Sequence, residues 1–96
     1  MDYKIQILKR AQIEIETAFD YFAEISHTAL KNFNDELEIS YERLKVNPKF
    51  QVRYKFFRVL PFPTFPYIIV FTVDEDNKLV KIYSVFNTYQ DPAKYP

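Results

Sequence analysis

Two consecutive stretches near the C-terminus carry the clearest pattern in the chain: FPYIIVFTVDED at residues 65–76 and VKIYSVFNTYQDP at residues 80–92. The first contains a nearly continuous apolar run from Tyr67 to Val73, which is typical of a strand at the centre of a sheet. The second follows from Leu79 to Phe86 with the period of a strand. The mostly acidic residues 74–78 between them predict a turn, so the two stretches are expected to form a hairpin.

The first half of the chain changes from a strand pattern to two helix patterns. Residues 3–8 alternate polar and apolar side chains and predict a short first strand. Apolar residues then recur at spacings of three and four up to Ile25, which predicts a first helix from Lys9. Ser26 is a good N-cap for a second helix, and Asn47-Pro48 ends it, because a residue before proline is pushed out of the α region. With almost no linker between them, the two helices are expected to form an antiparallel hairpin.

The segment between the second helix and residue 66 predicts one more strand and a stiff loop. Val52, Tyr54 and Phe56 share one strand face, whereas Phe57 and Val59 fit better with the two faces exchanged. A bulge near Phe56-Phe57 would reconcile the two halves of a single strand. Prolines at 61, 63 and 66 cannot donate ladder hydrogen bonds, so these residues are expected to form a connecting loop. The predicted order is therefore β-α-α-β-β-β, in a single α+β domain over residues 1–96.

Composition narrows the classes of protein to which the chain can belong. Its 96 residues are 48% hydrophobic and include no glycine and no cysteine. Glycine-rich phosphate loops and thiolate metal sites are thereby excluded, and any turn with positive φ is expected to fall to Asn or Asp. No apolar run approaches the roughly 20 residues that cross a bilayer, and the N-terminus lacks a signal-peptide pattern. We expect a cytoplasmic protein without membrane contact, cofactor or metal ion.

The net charge is zero, but the charges are unevenly distributed. Residues 1–46 hold six Lys/Arg and nine Asp/Glu, and residues 47–96 hold seven and four. No acidic residue lies between Glu42 and Asp74, a stretch that includes Arg53, Lys55 and Arg58. One interpretation is a patch for phosphates or an acidic partner, with Tyr54, Phe57 and Tyr89 as aromatic surfaces. The alternative is an ordinary solvent-facing strand whose cations discourage edge pairing.

The two C-terminal stretches resemble the RelE/ParE toxins of bacterial toxin–antitoxin modules, often called plasmid stabilisation proteins. That family typically has an FPY strand that ends in Val-Asp, an acidic hairpin, and a last strand followed by His, Arg and Asp-Pro. The chain keeps most of this pattern but has Asn87 at the usual His and Gln90 at the usual Arg. The resemblance covers the whole chain and implies a helical hairpin packed on an antiparallel sheet.

The resemblance also implies a toxin that is neutralised by a cognate antitoxin. The chain is nearer to ParE, whose members poison DNA gyrase and need no hydrolytic site, than to the ribonucleases that cut mRNA in the ribosome. A ribonuclease with a rearranged site is the alternative, and a non-toxic relic that keeps antitoxin binding is another. The oligomeric state stays open, a homodimer included. The candidate catalytic residues of a ribonuclease are Arg53, Lys55, Arg58 and Tyr89. The candidate antitoxin- or target-binding residues are Arg53, Lys55, Phe57, Arg58, Tyr67, Asn87 and Tyr89.

Overall fold

The computed structural model describes residues 2–50, 52–54 and 56–89, with the backbone alone for residues 52–54. Within these residues the elements follow in the order β1 (Lys4–Ile7), α1 (Lys9–Ile25), α2 (His27–Val46), β2 (Val52–Tyr54), β3 (Phe57–Pro61), β4 (Tyr67–Asp74) and β5 (Leu79–Asn87). No helix in this part of the chain has both the length and the apolar character needed to span a membrane.

The strands form one sheet in the order β1-β5-β4-β3-β2, and the two helices pack on one of its faces. The predicted α+β class, with a helical hairpin on a sheet, is confirmed. Neighbouring strands from β2 to β5 are antiparallel, whereas β1 pairs in parallel with β5, so the sheet is mixed and the expectation of a wholly antiparallel sheet is wrong. The single bulged strand predicted around residues 52–59 is wrong, because the chain reverses between Tyr54 and Phe57 and pairs β2 with β3.

Both helices keep the bounds that their sequence patterns predict. Helix α1 buries Ala11, Ile15, Ala18 and Phe22, which recur at helical spacing. The hydroxyl of Ser26 accepts a hydrogen bond of 3.0 Å from the backbone N–H of Ala29, which satisfies one of the free amides of α2. Helix α2 stops before Pro48, with Asn47 as its C-cap. It buries Phe33, Leu37, Ser40 and Leu44.

The core between helices and sheet is centred on the ring of Phe33, which is fully buried. Phe33 stacks on Phe22 at 4.9 Å and on Phe62 at 5.2 Å between ring centroids. It meets Phe65 and Tyr67 edge-on at 5.5 and 5.0 Å. Each buried aromatic ring contributes about 1.5–3 kcal/mol through the area it removes from water. The proline-rich loop therefore supplies Phe62 and Phe65 to the core as well as connecting β3 to β4.

The carboxylate of Glu36 holds this loop against α2. It accepts hydrogen bonds from the backbone N–H groups of Thr64 and Phe65, at 2.9 and 3.1 Å, and from the Thr64 hydroxyl. Partial burial alone would raise the pKa of Glu36, but these hydrogen bonds outweigh it and the pKa is lowered. The loop is thus fixed by one ionised side chain that reaches across from the neighbouring helix.

A bulge in β5 divides that strand into two parts with different surroundings. Val70 pairs with Ser84 and Phe71 with Ile82, so Tyr83 is the extra residue. Ile82 and Val85 both belong to the core under the helices, whereas Tyr83 packs against Phe57 on the opposite face. That face carries a second apolar cluster of Ile68, Val70 and Phe86, with Phe57 and Val59 packed against it. We call this the outer cluster.

The β4–β5 hairpin closes through an unusual turn residue. Asp74 accepts hydrogen bonds from the backbone and the side-chain amide of Asn77, at 3.2 and 2.9 Å. Lys78 follows with a φ of 50°, in the left-handed region that β-carbon contacts disfavour. The expectation that positive φ falls to Asn or Asp is therefore wrong at this turn.

Candidate functional site

Tyr67 and Asn87 lie directly opposite each other where β4 begins and β5 ends. The side-chain oxygen of Asn87 accepts a 2.9 Å hydrogen bond from the backbone N–H of Tyr89. Burial raises the pKa of Tyr67, the Asn87 side chain offsets part of this, and nearby Tyr21 adds to it. Asn87 therefore holds the chain that follows β5 and faces its cross-strand partner Tyr67.

A cavity of about 240 Å³ opens beside this pair, between α1 and the end of the sheet. Its lining combines a carboxylate, two phenols, a hydroxyl and an amide with two small apolar side chains, and none of the described residues that line it is basic. They are Glu14, Thr17, Ala18, Tyr21, Tyr67, Val85 and Asn87. Because phosphate binding needs cations or clustered N–H donors, this cavity is unsuited to a phosphate.

Glu14 joins α1 to β5 at the edge of this cavity. One carboxylate oxygen accepts hydrogen bonds from the Ser84 hydroxyl at 2.7 Å and from the Val85 backbone N–H at 3.1 Å. The other oxygen lies 3.5 Å from the Arg10 guanidinium, which is about half exposed. Strand β1 pairs with β5 only as far as Ile82. Glu14 therefore supplies the hydrogen-bond acceptor that a neighbouring strand would otherwise offer to the Val85 amide.

Arg58 lies elsewhere, on the face of the sheet that bears the helices. Its half-buried guanidinium donates to the backbone carbonyl of Phe50. The Phe50 ring in turn meets Phe71 edge-on at 6.5 Å and lies under the Arg43 guanidinium at 5.2 Å. Arg58 thus anchors the segment that follows α2, which is a structural task the sequence pattern did not indicate.

The predicted binding residues fall into separate places. Arg58 pairs with Phe71, four residues along β4 from Tyr67, which is about 13 Å at strand spacing. Phe57 belongs to the opposite face, where its ring meets Tyr83 at 5.0 Å. Arg53 lies in β2, where only the backbone is described, and Lys55 and Gln90 lie outside the described residues. The residues that the structure brings together are Tyr67 and Asn87, with the exposed Tyr89 next in the chain.

Sequence reasoning missed Glu14, Tyr21 and Ser84. In the sequence, Glu14 falls among the acidic residues on the polar side of α1, although it precedes the buried Ile15 and lies one turn before the buried Ala18. Ser84 is fully buried, and its partner is 70 residues away in the sequence. The buried neighbours of Glu14 at helical spacing are the signal that could have drawn attention to it.

The fold defines the class of protein: a small α+β domain of the RelE/ParE kind, in which the described residues that line the cavity at the Tyr67–Asn87 end include no basic side chain. A model of the family described as "ParE toxin of type II toxin-antitoxin system, parDE" matches residues 5–92. The chain therefore belongs to the ParE toxin family.

Two solved structures share the fold at low sequence identity. A chain of the chromosomal ParDE toxin–antitoxin system of P. aeruginosa is similar with a TM-score of 0.72 and 15% identity, over 88% of this chain and 95% of that one. The isolated E. coli RelE toxin is similar with a TM-score of 0.57 and 14% identity, over 95% of this chain and 89% of that one. No curated protein sequence matches the chain.

Proposed function

We propose that this chain is the growth-inhibiting toxin of a type II toxin–antitoxin module and acts by binding its target, DNA gyrase, without hydrolysing a substrate. A cognate antitoxin neutralises it by binding. The observation that carries the proposal is the set of contacts and neighbours of Asn87. The residue at the family's usual histidine accepts a hydrogen bond from the Tyr89 amide, faces Tyr67 across the strands and borders a cavity whose charged group, among the described lining residues, is a carboxylate.

Proton transfer and charge stabilisation are the two tasks of a ribonuclease site, and the described residues favour neither here. A neutral amide such as that of Asn87 does not exchange protons near pH 7, as a histidine does. Ile68, which follows Tyr67, lies in the outer cluster and is apolar. The guanidinium of Arg58 donates to the Phe50 carbonyl. Cleavage of RNA would need cations at the scissile phosphate, so binding is the better-supported mode of action.

The antitoxin is expected to bind where aromatic side chains are exposed next to this site. Tyr89, two residues after Asn87 in the chain, is 85% exposed. Tyr21 on α1, which lines the cavity together with Asn87, is 57% exposed. Large exposed aromatic side chains are common anchors of protein interfaces. A wider contact set that includes Arg53, Lys55, Phe57 and Arg58 stays a prediction.

Growth of a bacterial host after induction of the chain tests the proposal, with a DNA-damage reporter read in the same culture. We expect arrest with the reporter on, and rescue when the antitoxin encoded by the adjacent reading frame is co-expressed. Tyr89→Ala should weaken the rescue by the antitoxin, whereas Val46→Ala, at an exposed apolar residue on α2, should not. Arrest with the reporter off and cuts inside translated messages would identify a ribonuclease. Healthy growth of cells that hold soluble protein would identify a relic.

A further inference from the structure

The cavity beside Asn87 lies at an edge of the sheet where strand pairing stops. Pairing of β5 with β1 ends at Ile82, and the Val85 amide on the same edge donates to Glu14 on α1. Because Glu14 connects α1 directly to β5, the gap between them is too narrow for a helix, whose axis packs 8–10 Å from its neighbour. An extended segment that passes along β5 is the kind of polypeptide that fits, and it would reach the cavity through a side chain because Glu14 already accepts from the Val85 amide.

The size of the cavity favours a single side chain as its occupant. Its volume of about 240 Å³ is that of roughly eight water molecules, at about 30 Å³ each. Sites for small-molecule ligands and cofactors are larger, on the order of 300–1,000 Å³. The cavity therefore has room for one long side chain of a partner and lies below the usual size of a small-molecule site.

The chemistry of the lining favours a cation. Glu14 supplies the charge, and its oxygen on the Arg10 side has one long contact of 3.5 Å with an exposed guanidinium. Such an exposed pair is weak and can be replaced by a better-placed cation. Tyr21 and Tyr67, which also line the cavity, have aromatic rings of the kind that make cation–π contacts, and the Asn87 amide adds a polar group.

We propose that this cavity receives one arginine or lysine side chain from an extended segment of the antitoxin, which lies along the edge of β5 beyond Ile82. This inference rests on the proposed function for the identity of the partner. The proposal depends on charge complementarity between the partner's cation and Glu14, so the test removes the charge of Glu14.

Glu14→Gln removes the charge and keeps an oxygen that can accept from Ser84 and Val85, so the variant retains the link between α1 and β5. Glu16→Gln is the matched control, because Glu16 is exposed on the same helix and does not line this cavity. Nitrogen-15 NMR of the full chain first follows titration with N-acetyl-arginine methylamide. We expect saturable shifts of the Val85 and Asn87 amides, at least tenfold weaker with the citrulline analogue, lost in E14Q and retained in E16Q. Equal responses to the two probes, or an unchanged response of E14Q, would overturn the proposal.

Affinity for the antitoxin encoded by the adjacent reading frame then tests the cavity proposal separately from the proposed function. The expected dissociation constant is at least tenfold higher for E14Q and unchanged for E16Q. An antitoxin that binds E14Q as tightly as the unaltered chain would overturn the cavity proposal and leave the proposed function in place. An antitoxin that fails to bind the unaltered chain would overturn the proposed function and the partner named here.

Discussion

The ammonium group of Lys49 lies 2.9 Å from the carboxylate of Glu75, and this ion pair ties the segment after α2 to the β4–β5 turn. The same carboxylate accepts from the Tyr3 hydroxyl at 2.9 and 3.0 Å, just before β1. Lys78 lies 3.4 Å from its second oxygen. Three segments that are far apart in the sequence therefore meet at one side chain, at the end of the sheet away from Asn87.

Glu75 is predicted to make stability depend on pH under acidic conditions. Hydrogen bonds from Lys49 and Tyr3 lower the pKa of Glu75 from 4.5 to about 2. Because the folded pKa lies below the unfolded one, the stabilisation is present above pH 4.5 and is lost as the pH falls toward 2. The free energy of unfolding in urea, measured between pH 5 and 2.5, should fall more steeply for the unaltered chain than for Glu75→Gln. Equal slopes would show that these contacts do not persist in solution.

Loss of the Glu14 carboxylate is predicted to destabilise the protein by an amount that depends on the replacement. Glu14→Ala leaves the buried Ser84 hydroxyl and the Val85 amide without their acceptor, at an expected cost of about 1–3 kcal/mol. Glu14→Gln keeps an acceptor and should cost less than about 1 kcal/mol. Urea unfolding followed by circular dichroism measures both variants. Equal losses of stability in the two variants would mean that the link between α1 and β5 depends on the charge of Glu14 and not on its hydrogen bonds.

Arg58 is predicted to be a structural residue rather than part of an exposed basic patch. Arg58→Met should lower the free energy of unfolding by about 1–2 kcal/mol, because the Phe50 carbonyl loses a charged donor. Lys31→Met is the control, since Lys31 forms an exposed ion pair with Asp35 on α2 and should change stability by less than about 0.5 kcal/mol. If R58M is as stable as K31M, Arg58 is available for a partner and the binding interpretation of this residue gains support.

The elements that local chemistry specifies could be predicted from the sequence. The bounds of α1 and α2 follow from apolar spacing, the Ser26 cap and Pro48, each of which acts within a few residues. The hairpin of β4 and β5 follows from two strand patterns on either side of a polar turn. Such signals depend little on the rest of the chain, and each was confirmed.

The features that depend on distant partners could not be predicted. A strand pattern whose faces exchange fits both a bulge and a reversal of the chain, and only the pairing of β2 with β3 distinguishes them. The actual bulge, at Tyr83, follows from how β5 meets both β4 and the helices. From the sequence, Glu14 resembles the other surface acids of α1, because its partners Ser84 and Val85 are far away in the chain and only the fold brings them into contact. The candidate site was therefore predicted only at Tyr67, Asn87 and Tyr89, which are close to one another at the strand ends.

Restoration of the family's usual histidine is predicted to leave the chain without ribonuclease activity. Asn87→His should cost about 1 kcal/mol of stability, because the side-chain oxygen that accepts from the Tyr89 amide is lost. The cavity beside it holds a carboxylate and, among the described residues that line it, no base, so the added proton carrier lacks a cation to hold the phosphate. Mapping of mRNA ends in a translation extract, with an active RelE as the positive control, should show no cuts by the unaltered chain or by N87H. Cleavage by N87H alone would show that the rest of a ribonuclease site is intact and that Asn87 is the residue that silences it.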